Sequence, residues 1–316
     1  MPDNILVLGG TGFVGRAVCE RLAERSSGGR LIVPTRRLQH GDRVRALPTV
    51  ELVAANVHDE TQLARLVAQA DAVINLVAIL HGSAAAFQQA HVELPRKIAR
   101  ACQAAGVRRL VHVSALGVGP GAPSNYLRSK TEGEAVLQAA ALDLTLLRPS
   151  VIFGTEDRFL NVFAQLQSLA PVLPLAGSGA QFQPVWVEDV ASAVVRCLDD
   201  LGSIGKTYEL TGPQVYTLSE LVRLAGRWSG HERPQIPLPA FIGRLQALSM
   251  EMLPGQPLMS RDNIDSMAVP NIATGTLPGL DALGITATAM EAVAPGYLGG
   301  RFGRARMEPW RAGARR

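Results

Sequence analysis

The sequence predicts an α/β fold in which helices cover both faces of a parallel, doubly wound sheet. Two observations lead to this prediction. In the first half of the 316-residue chain, short apolar runs typical of buried strands alternate with segments of helical periodicity. The first apolar run leads directly into a glycine-rich turn and then into a helix. Such alternation requires crossover connections, which are right-handed and place the strands side by side in one sheet.

The elements are predicted in chain order from these patterns. The predicted strands span residues 5–8, 30–35, 50–53, 72–77, 110–114 and 142–148. The predicted helices span residues 16–25, 59–69, 87–105, 126–140, 158–169, 188–198, 218–226 and 240–252.

Three parts of the chain follow from this pattern. Residues 1–150 form the predicted Rossmann-type sheet domain, to which 184–200 return. Residues 151–183 and 201–300 form a smaller, loop-rich lobe for substrate or docking, and 301–316 form a basic tail. Within this lobe, the stretch 268–300 contains two charged residues and many Gly, Pro and Thr, so it is predicted to be an arm on a surface rather than part of a core.

The turn after the first strand has glycines at positions 9, 12 and 15. The first amides of the following helix have no intrahelical partner and carry partial positive charge, so they suit a pyrophosphate. Gly9 permits the tight turn, Gly12 has no Cβ to hold off the phosphates, and Gly15 lets the helix approach the sheet. Phe13 and Val14 complete this predicted dinucleotide turn. The alternative is a glycine-rich turn with a structural role only.

Arg36 and Arg37 follow the second strand, where a dinucleotide fold meets the adenosine ribose. An acidic residue there would bind the 2′-hydroxyl of NAD, whereas a guanidinium suits the 2′-phosphate of NADP. The sequence therefore predicts NADP(H) as the preferred cofactor, with NAD(H) as the other possibility. The alternative is a pair of solvated surface arginines.

Further cofactor contacts are predicted where the next two strands end. Asn56 and Val57 follow the third strand, and Val77 ends the fourth. Ligands of such sheets bind beyond the carboxyl ends of the strands, which meet at one edge. Asp59 is predicted mainly to cap the helix that begins there, with a place near the adenine edge as the alternative.

Ser114, Tyr126 and Lys130 are the predicted catalytic residues. Ser114 ends the fifth strand, and Tyr126 and Lys130 are four residues apart on one helix face. A tyrosine has a pKa of about 10, and a nearby ammonium is expected to lower it. The phenol would exchange a proton with a carbonyl or alcohol oxygen while a hydride moves, and the serine would hold the same oxygen. The alternative is a surface tyrosine with a solvated lysine.

Composition excludes several other classes of protein. The chain is 47% hydrophobic and 18% charged, which is typical of a globular protein and argues against disorder. No apolar run is long enough to span a bilayer, and the start of the chain lacks the basic character of a signal peptide, so a cytoplasmic location is predicted. The three cysteines suggest free thiols, and the six histidines have no metal-ligand spacing.

The net charge of +4 arises from the C-terminal tail. Residues 301–316 hold six arginines and one glutamate, a net +5, so the rest of the chain carries −1. No nucleic-acid-binding face is therefore predicted on the body. With Phe302, Met307 and Trp310 interleaved, the tail is predicted to dock on the inner face of a membrane or on a membrane complex, and the alternative is a disordered basic tail.

Several blocks together resemble the short-chain dehydrogenase/reductase superfamily in its extended or atypical branch. They lie at residues 9–15, 75–77, 114, 126–134, 148–154 and 185–191. Within that superfamily, three stretches are similar to the group that holds the dehydrogenase-like accessory subunit of respiratory complex I and its bacterial relatives. They are Tyr-Leu-Arg-Ser-Lys at 126–130, Gly-Thr-Glu-Asp-Arg-Phe-Leu-Asn at 154–161, and Ser-Arg-Asp-Asn at 260–263 with Asp-Ser-Met at 265–267.

The resemblance extends to about Tyr297 and carries implications for the site. It implies that the three glycines hold the pyrophosphate and that Arg36 or Arg37 selects NADP. Tyr126 and Lys130 would lie at the nicotinamide ribose. The ring would be bordered by Arg148, Pro149 and Ser150.

Three functions are consistent with these residues. The first is an NADPH-dependent oxidoreductase acting on an apolar carbonyl or quinone-like compound, which the Ser-Tyr-Lys set favours. The second is a non-catalytic NADPH-binding accessory subunit or assembly factor of a respiratory or quinone-linked membrane complex, which the resemblance and the tail favour. The third and least favoured is a sugar-nucleotide epimerase or dehydratase, because few aromatic residues are present to stack a base. The sequence predicts neither the substrate nor the oligomeric state.

Overall fold

The computed structural model describes residues 2–25, 29–252, 257 and 259–299. The strands are β1 (Ile5–Leu8), β2 (Leu31–Thr35), β3 (Val50–Ala54), β4 (Ala72–Asn75), β5 (Arg109–Val113), β6 (Asp143–Pro149), β7 (Ile152–Phe153), β8 (Leu173–Ala176), β9 (Gln181–Phe182), β10 (Val185–Trp186), β11 (Thr207–Leu210), β12 (Tyr216–Thr217) and β13 (Gln235–Leu238). The α-helices are α1 (Phe13–Ala23), α2 (Asp42–Arg45), α3 (Glu60–Val67), α4 (Ala84–Gln88), α5 (Leu94–Ala105), α6 (Asn125–Gln138), α7 (Leu160–Leu169), α8 (Val187–Asp199), α9 (Leu218–Ser229), α10 (Ala240–Glu251), α11 (Arg261–Ser266) and α12 (Met290–Leu298).

The described residues divide into two compact units. Unit 1 comprises the described residues of 2–149, 187–210 and 273–286, and unit 2 comprises those of 150–186, 211–272 and 287–299. This division differs from the predicted one, in which 201–210 and 273–286 belonged to the smaller lobe. The stretch 201–210 contains β11, which pairs with β6 in the sheet of unit 1. The stretch 273–286 contacts the same strand, because the Thr274 amide donates a hydrogen bond to Glu209 of β11 at 2.7 Å.

Unit 1 is built on a seven-stranded parallel sheet with the order β11-β6-β5-β4-β1-β2-β3. The predicted fold class is therefore confirmed. The chain order reverses between β1 and β4, and ligands of open α/β sheets bind in the crevice at such a switch point. All seven carboxyl ends lie at one edge of the sheet, because the strands are parallel.

Buried strands and helix faces form the core of unit 1. Every residue of β1, β4 and β5 is buried. One side of the sheet packs against α3, α5 and α6 through a cluster that includes Leu6, Leu63, Ile98, Leu110 and Leu137. The helix α8 packs against α1, and ion pairs join Arg25 to Asp199 and Arg21 to Glu188.

The predicted helix over 87–105 is interrupted by a π-helical turn. Helix α4, the turn Gln89–Glu93 and helix α5 follow each other without a break in the chain. Helix α6 packs closely on this turn, because a Cβ on Gly133 would lie 1.9 Å from the His91 carbonyl oxygen. π-helical turns of this kind are frequently found at functional sites.

Unit 2 contains three two-stranded sheets, which pair β7 with β10, β8 with β13 and β9 with β12. Its core lies among α7, α9 and α12, and the residues of α12 that belong to it are Met290, Ala294, Tyr297 and Leu298. The prediction of a surface arm over 268–300 is therefore wrong for 290–298. That stretch has few charges because it is part of a core.

Two further expectations concern the basic tail and a membrane-spanning segment. The basic tail 301–316 is outside the described residues. None of the helices described is long and apolar enough to cross a bilayer.

Candidate dinucleotide and catalytic site

The glycine-rich turn lies at the carboxyl end of β1, at the switch point of the sheet. Gly9 has φ +84°, and a Cβ there would lie 3.1–3.2 Å from the backbone of Leu76 and Val77. A Cβ on Gly15 would lie 2.2 Å from the Gly9 carbonyl oxygen. These two positions therefore require glycine for backbone reasons.

Gly12 differs from its two neighbours. It is the N-cap of α1 in an extended conformation, and a Cβ there would meet the described chain only at the Gly9 carbonyl oxygen, 3.1 Å away. The cap has no side-chain hydrogen bond, and the first turn of α1, which contains half-buried Phe13 and Val14, has no acidic residue. This open, uncapped helix start fits a pyrophosphate, because the space that a Cβ would fill is available to a phosphate group.

The predicted ribose and adenine residues lie at the same sheet edge. Arg36 and Arg37 follow β2 with exposed side chains, and neither forms an ion pair within the described part of the chain. Asn56 and Val57 follow β3, with Asn56 exposed and Val57 partly packed on the core. Asn56 Oδ1 accepts from the His58 amide at 3.1 Å, so this side chain shapes its own turn.

Asp59 caps α3, which confirms the main interpretation of that residue. Its Oδ1 accepts from the Gln62 amide at 3.0 Å. These hydrogen bonds hold the pKa of Asp59 below its usual value, because the charged form is the better acceptor.

Val77 follows β4, where its amide donates to Asn75 Oδ1 at 3.2 Å. Asn75 Nδ2 in turn lies 3.0 Å from Nδ1 of His112 on β5. His112 is buried, and burial, with smaller contributions from Lys130 and His91, holds its pKa well below the usual value. His112 is therefore a buried, neutral residue of the strand.

Two of the three predicted catalytic residues, Ser114 and Lys130, lie together at the carboxyl end of β5. Lys130 is buried, and its Nζ donates to the Val113 carbonyl oxygen at 3.1 Å, next to Ser114. Ser114 is buried too, and its Oγ has no hydrogen-bond partner among the described residues. A buried hydroxyl without a partner is uncommon, since it loses the hydrogen bonds that water would provide. It is suited to hold the oxygen of a bound molecule.

Tyr126 lies in the first turn of α6, which Ser124 caps by accepting from the Leu127 amide at 3.1 Å. Its ring packs edge-on against the rings of His91 and Phe87, with centroids 5.4 and 6.1 Å away. Burial raises the pKa of Tyr126 to about 12. The expected lowering by Lys130 is therefore wrong for this structure, in which the lysine ammonium hydrogen-bonds to the strand and burial dominates.

Lys130 itself is affected by burial. Burial lowers its pKa to about 8, with Glu134 acting in the opposite direction. Glu134 is buried and forms a two-point ion pair with Arg148 of β6, with nitrogen–oxygen distances of 3.0 and 2.5 Å. The ammonium thus remains largely charged at neutral pH, at a position one helical turn from the tyrosine.

His91 is a neighbour of the site that the sequence pattern did not indicate. Its Nε2 accepts from the Ile79 amide at 3.1 Å, so Nδ1 carries the proton and donates to Ser129 Oγ at 2.9 Å. Ser129 Oγ donates to the Tyr126 carbonyl oxygen at 2.8 Å. Burial, followed by the Lys130 charge, lowers the pKa of His91 to about 3, so this imidazole is neutral. A lone histidine within a helical pattern gives no signal of such a role.

The last two predicted ring contacts lie at the end of β6 and just beyond it. Pro149 ends β6 and is buried, at the same edge as the other sites. Ser150 belongs to unit 2, where its Oγ donates to Asn271 Oδ1 at 2.6 Å. No group of His, Cys, Asp or Glu within the described ranges is placed to hold a metal ion.

Comparison with known proteins identifies the family. The model of a family described as NAD(P)H-binding matches residues 9–201, which is more than half of the chain. The chain belongs to this family. The match begins at the first glycine of the turn and includes all three predicted catalytic residues.

This NAD(P)H-binding protein is similar to a complex I subunit and to a reductase. It is 33% identical over 296 residues to the mouse NADH dehydrogenase [ubiquinone] 1 alpha subcomplex subunit 9, mitochondrial, covering 90% of this chain and 77% of the relative. It is also 29% identical over 237 residues to a ceramide reductase of Caulobacter vibrioides, covering 74% and 73% of the two chains.

A solved structure agrees on the fold. The NADPH-dependent quinone oxidoreductase of Escherichia coli, crystallised with NADPH, aligns with a TM-score of 0.74 at 20% identity over 93% of this chain and 99% of that one. At this identity the likeness concerns the fold alone. The resemblance stated from the sequence is therefore confirmed, and the protein has an extended short-chain dehydrogenase/reductase-like fold that binds NAD(P)H.

Proposed function

We propose that this NAD(P)H-binding protein uses NADPH to reduce an apolar carbonyl or quinone-like compound. The observation that carries the proposal is the unpartnered, buried hydroxyl of Ser114, next to the strand carbonyl that Lys130 holds. A merely structural serine in that position would be expected to hydrogen-bond to the protein.

The chemistry divides between the cofactor and the chain. When bound, the reduced nicotinamide supplies a hydride to the carbonyl carbon of the substrate. Ser114 Oγ donates a hydrogen bond to the carbonyl oxygen and orients it. Tyr126, whose raised pKa of about 12 keeps its phenol protonated at neutral pH, donates the proton that this oxygen takes up. A carbonyl, NADPH and one proton thus become an alcohol and NADP⁺.

The direction of the tyrosine pKa favours reduction over oxidation. A phenol with a pKa of about 12 is a poor base near neutral pH but remains a better acid than the alcohol that forms.

The preference for NADPH is supported by the exposed Arg36 and Arg37 at the end of β2, where no acidic residue stands. A charge-assisted bond to the 2′-phosphate contributes about 1.5–3 kcal/mol. We therefore expect wild-type protein to bind NADPH roughly tenfold or more tightly than NADH, and Arg36→Ala with Arg37→Ala to remove most of the difference. Equal wild-type affinity for both cofactors in a fluorescence titration would contradict the assignment.

An apolar substrate is supported by the name of one relative, the ceramide reductase of Caulobacter vibrioides. The test is the loss of NADPH absorbance with a panel of quinones and apolar ketones. Tyr126→Phe keeps the ring and removes the proton donor, so turnover should fall roughly a hundredfold or more while NADPH binding persists. If wild-type protein oxidises NADPH with no compound of the panel, the reductase proposal is wrong.

A second candidate is a non-catalytic accessory subunit of a respiratory membrane complex. It is favoured by the relative from mouse, which matches 90% of this chain and is named as a subunit of NADH dehydrogenase. This function predicts that protein purified from its natural source migrates with a large complex on a native gel and retains a dinucleotide detectable by mass spectrometry. It also predicts that Tyr126→Phe leaves the assembly unaffected.

A further inference from the structure

Helix α10 in unit 2 exposes a stripe of large apolar side chains. Phe241, Leu245, Leu248 and Met252, the last of them the C-cap residue, are 73%, 65%, 37% and 81% exposed. Their spacing of four, three and four residues places them along one face of the helix. A surface helix normally turns its apolar face to the core, so this arrangement is the reverse of the usual pattern.

The opposite face of α10 is already packed within unit 2. A Cβ on Gly243 would lie 2.5 Å from the Cβ of Ala176 in β8, and Ala247 is fully buried. Only small side chains fit at this contact. Rotating the helix about its axis to bury the large residues would place them at this contact, where they do not fit. The stripe therefore remains on the exposed side of the helix.

The two charged side chains of α10 are both paired. Arg244 donates to Asp265 Oδ1 at 2.6 Å, and Glu251 accepts from Arg261 at 2.9 Å. The neighbouring strand β13 presents a further apolar side chain, Ile236, which is 54% exposed. The exposed face of this region is consequently apolar, with its charges neutralised beside it.

We propose that α10 is an interfacial helix that places this stripe, defined by Phe241, Leu245, Leu248 and Met252, in the surface of an anionic lipid bilayer. The binding of an interfacial helix to a bilayer has two contributions, the apolar area that it buries and electrostatic attraction to anionic lipids. The chain provides the second in residues 301–316, which carry +5 and follow α12 in the sequence. This positive charge favours an anionic lipid surface over a partner whose surface is neutral or positively charged.

The decisive measurement is the environment of residue 245 in the full-length protein. All three native cysteines are buried, and burial raises the pKa of each thiol to about 12, so they react slowly. A polarity-sensitive dye can therefore be attached selectively to Leu245→Cys. Leu201→Cys is the matched control, because Leu201 is 74% exposed and belongs to unit 1.

We expect vesicles of phosphatidylcholine with phosphatidylglycerol to brighten and blue-shift the dye at position 245 and to leave the dye at 201 unchanged. In vesicle flotation, Phe241→Gln with Leu245→Gln should lower the bound fraction about tenfold or more, and Leu201→Gln should change it less than about twofold. Unchanged NADPH binding and circular dichroism of both variants would show that the fold is retained.

Three results would overturn the proposal. The first is flotation of the protein with the dye at 245 still in water, which would mean that the basic tail binds alone. The second is a dye at 245 that is blue-shifted without vesicles, which would mean that the chain itself or a second copy covers the stripe; light scattering distinguishes these two. The third is a protein that does not float at all.

Discussion

Replacing Gly12 by valine should remove dinucleotide binding and leave the fold in place. The backbone at Gly12 is extended, with φ −77° and ψ 178°, which valine adopts without strain. A Cβ there approaches the described chain only at the Gly9 carbonyl oxygen, 3.1 Å away, a close contact that a backbone shift of a few tenths of an ångström would relieve. The added methyl groups therefore extend into the space that the pyrophosphate needs.

The magnitudes separate stability from binding. An apolar residue in place of glycine at an N-cap costs about 1 kcal/mol or less of unfolding free energy. Losing one charge-assisted hydrogen bond to a phosphate costs about 1.5–3 kcal/mol, or roughly 10- to 150-fold in affinity. Because the valine also blocks the phosphate sterically, binding should fall at least that far.

Gly15→Ala provides the contrast. A Cβ at that position would overlap the Gly9 carbonyl oxygen at 2.2 Å and the Gly10 backbone at 2.6–2.7 Å. Relief of this overlap requires backbone movement, so the alanine should lower the unfolding free energy by about 1–3 kcal/mol or more.

Urea unfolding and an NADPH titration of the same preparations measure the effects of each variant on stability and on binding separately. Gly12→Val should unfold within about 1 kcal/mol of wild type and bind no NADPH at concentrations that saturate wild type. Native affinity in this variant would refute the reasoning, since the glycine-rich turn would then have only a structural role.

Two further predictions concern buried charge in unit 1. Glu134→Ala leaves the guanidinium of Arg148 without its buried partner and should lower the unfolding free energy by about 3–5 kcal/mol, measured by urea unfolding. The control is Arg108→Ala, which breaks the exposed pair with Asp143 and should lower it by less than about 1 kcal/mol. Burial lowers the pKa of His91 to about 3, so between about pH 6.5 and 3 the unfolded chain binds a proton that the folded chain does not. The free energy of unfolding therefore falls with falling pH by up to about 1.4 kcal/mol per pH unit in this range. His91→Gln should flatten that slope in urea unfolding measured at several pH values, and an unchanged slope would contradict the buried neutral imidazole.

The sheet of unit 1 could be predicted from sequence because its signals are local. Six of the strands appear in the sequence as short apolar runs, and the backbone geometry at Gly9 and Gly15 accounts for the glycines of the turn. The seventh strand, β11, has four residues and joins the sheet only through pairing with β6, a contact some 60 residues distant in the chain. Local periodicity contains no information about such a pairing.

Helix α12 escaped prediction for a different reason. Pro295 lies inside it, Gly296 follows, and the segment is almost free of charge, which together are typical of a loop. Tertiary contacts override these propensities, because Met290, Ala294 and Leu298 are buried in the core of unit 2. The scarcity of charged residues in this segment indicates burial, and the prediction of a surface arm from the same scarcity is wrong.

The candidate catalytic residues could be selected from the sequence, but their electrostatics could not be predicted from it. The four-residue spacing of Tyr126 and Lys130 and the place of Ser114 after a strand are visible in the sequence. The pKa of Tyr126 depends instead on how deeply the ring is buried against Phe87 and His91, and on the hydrogen bond that draws the lysine to Val113. These are properties of packing between elements that lie far apart in the chain.

The interleaving of the two units along the chain has a consequence for how the protein is made. The polypeptide passes between them five times, at 149/150, 186/187, 210/211, 272/273 and 286/287. During synthesis β6 emerges about 60 residues before β11, so the growing chain presents β6 as an open sheet edge until residue 210 has left the ribosome. A fragment cut at residue 149 would keep that edge permanently. Gene fragments for this protein are therefore better designed to end after β11 than at the apparent end of the dinucleotide domain.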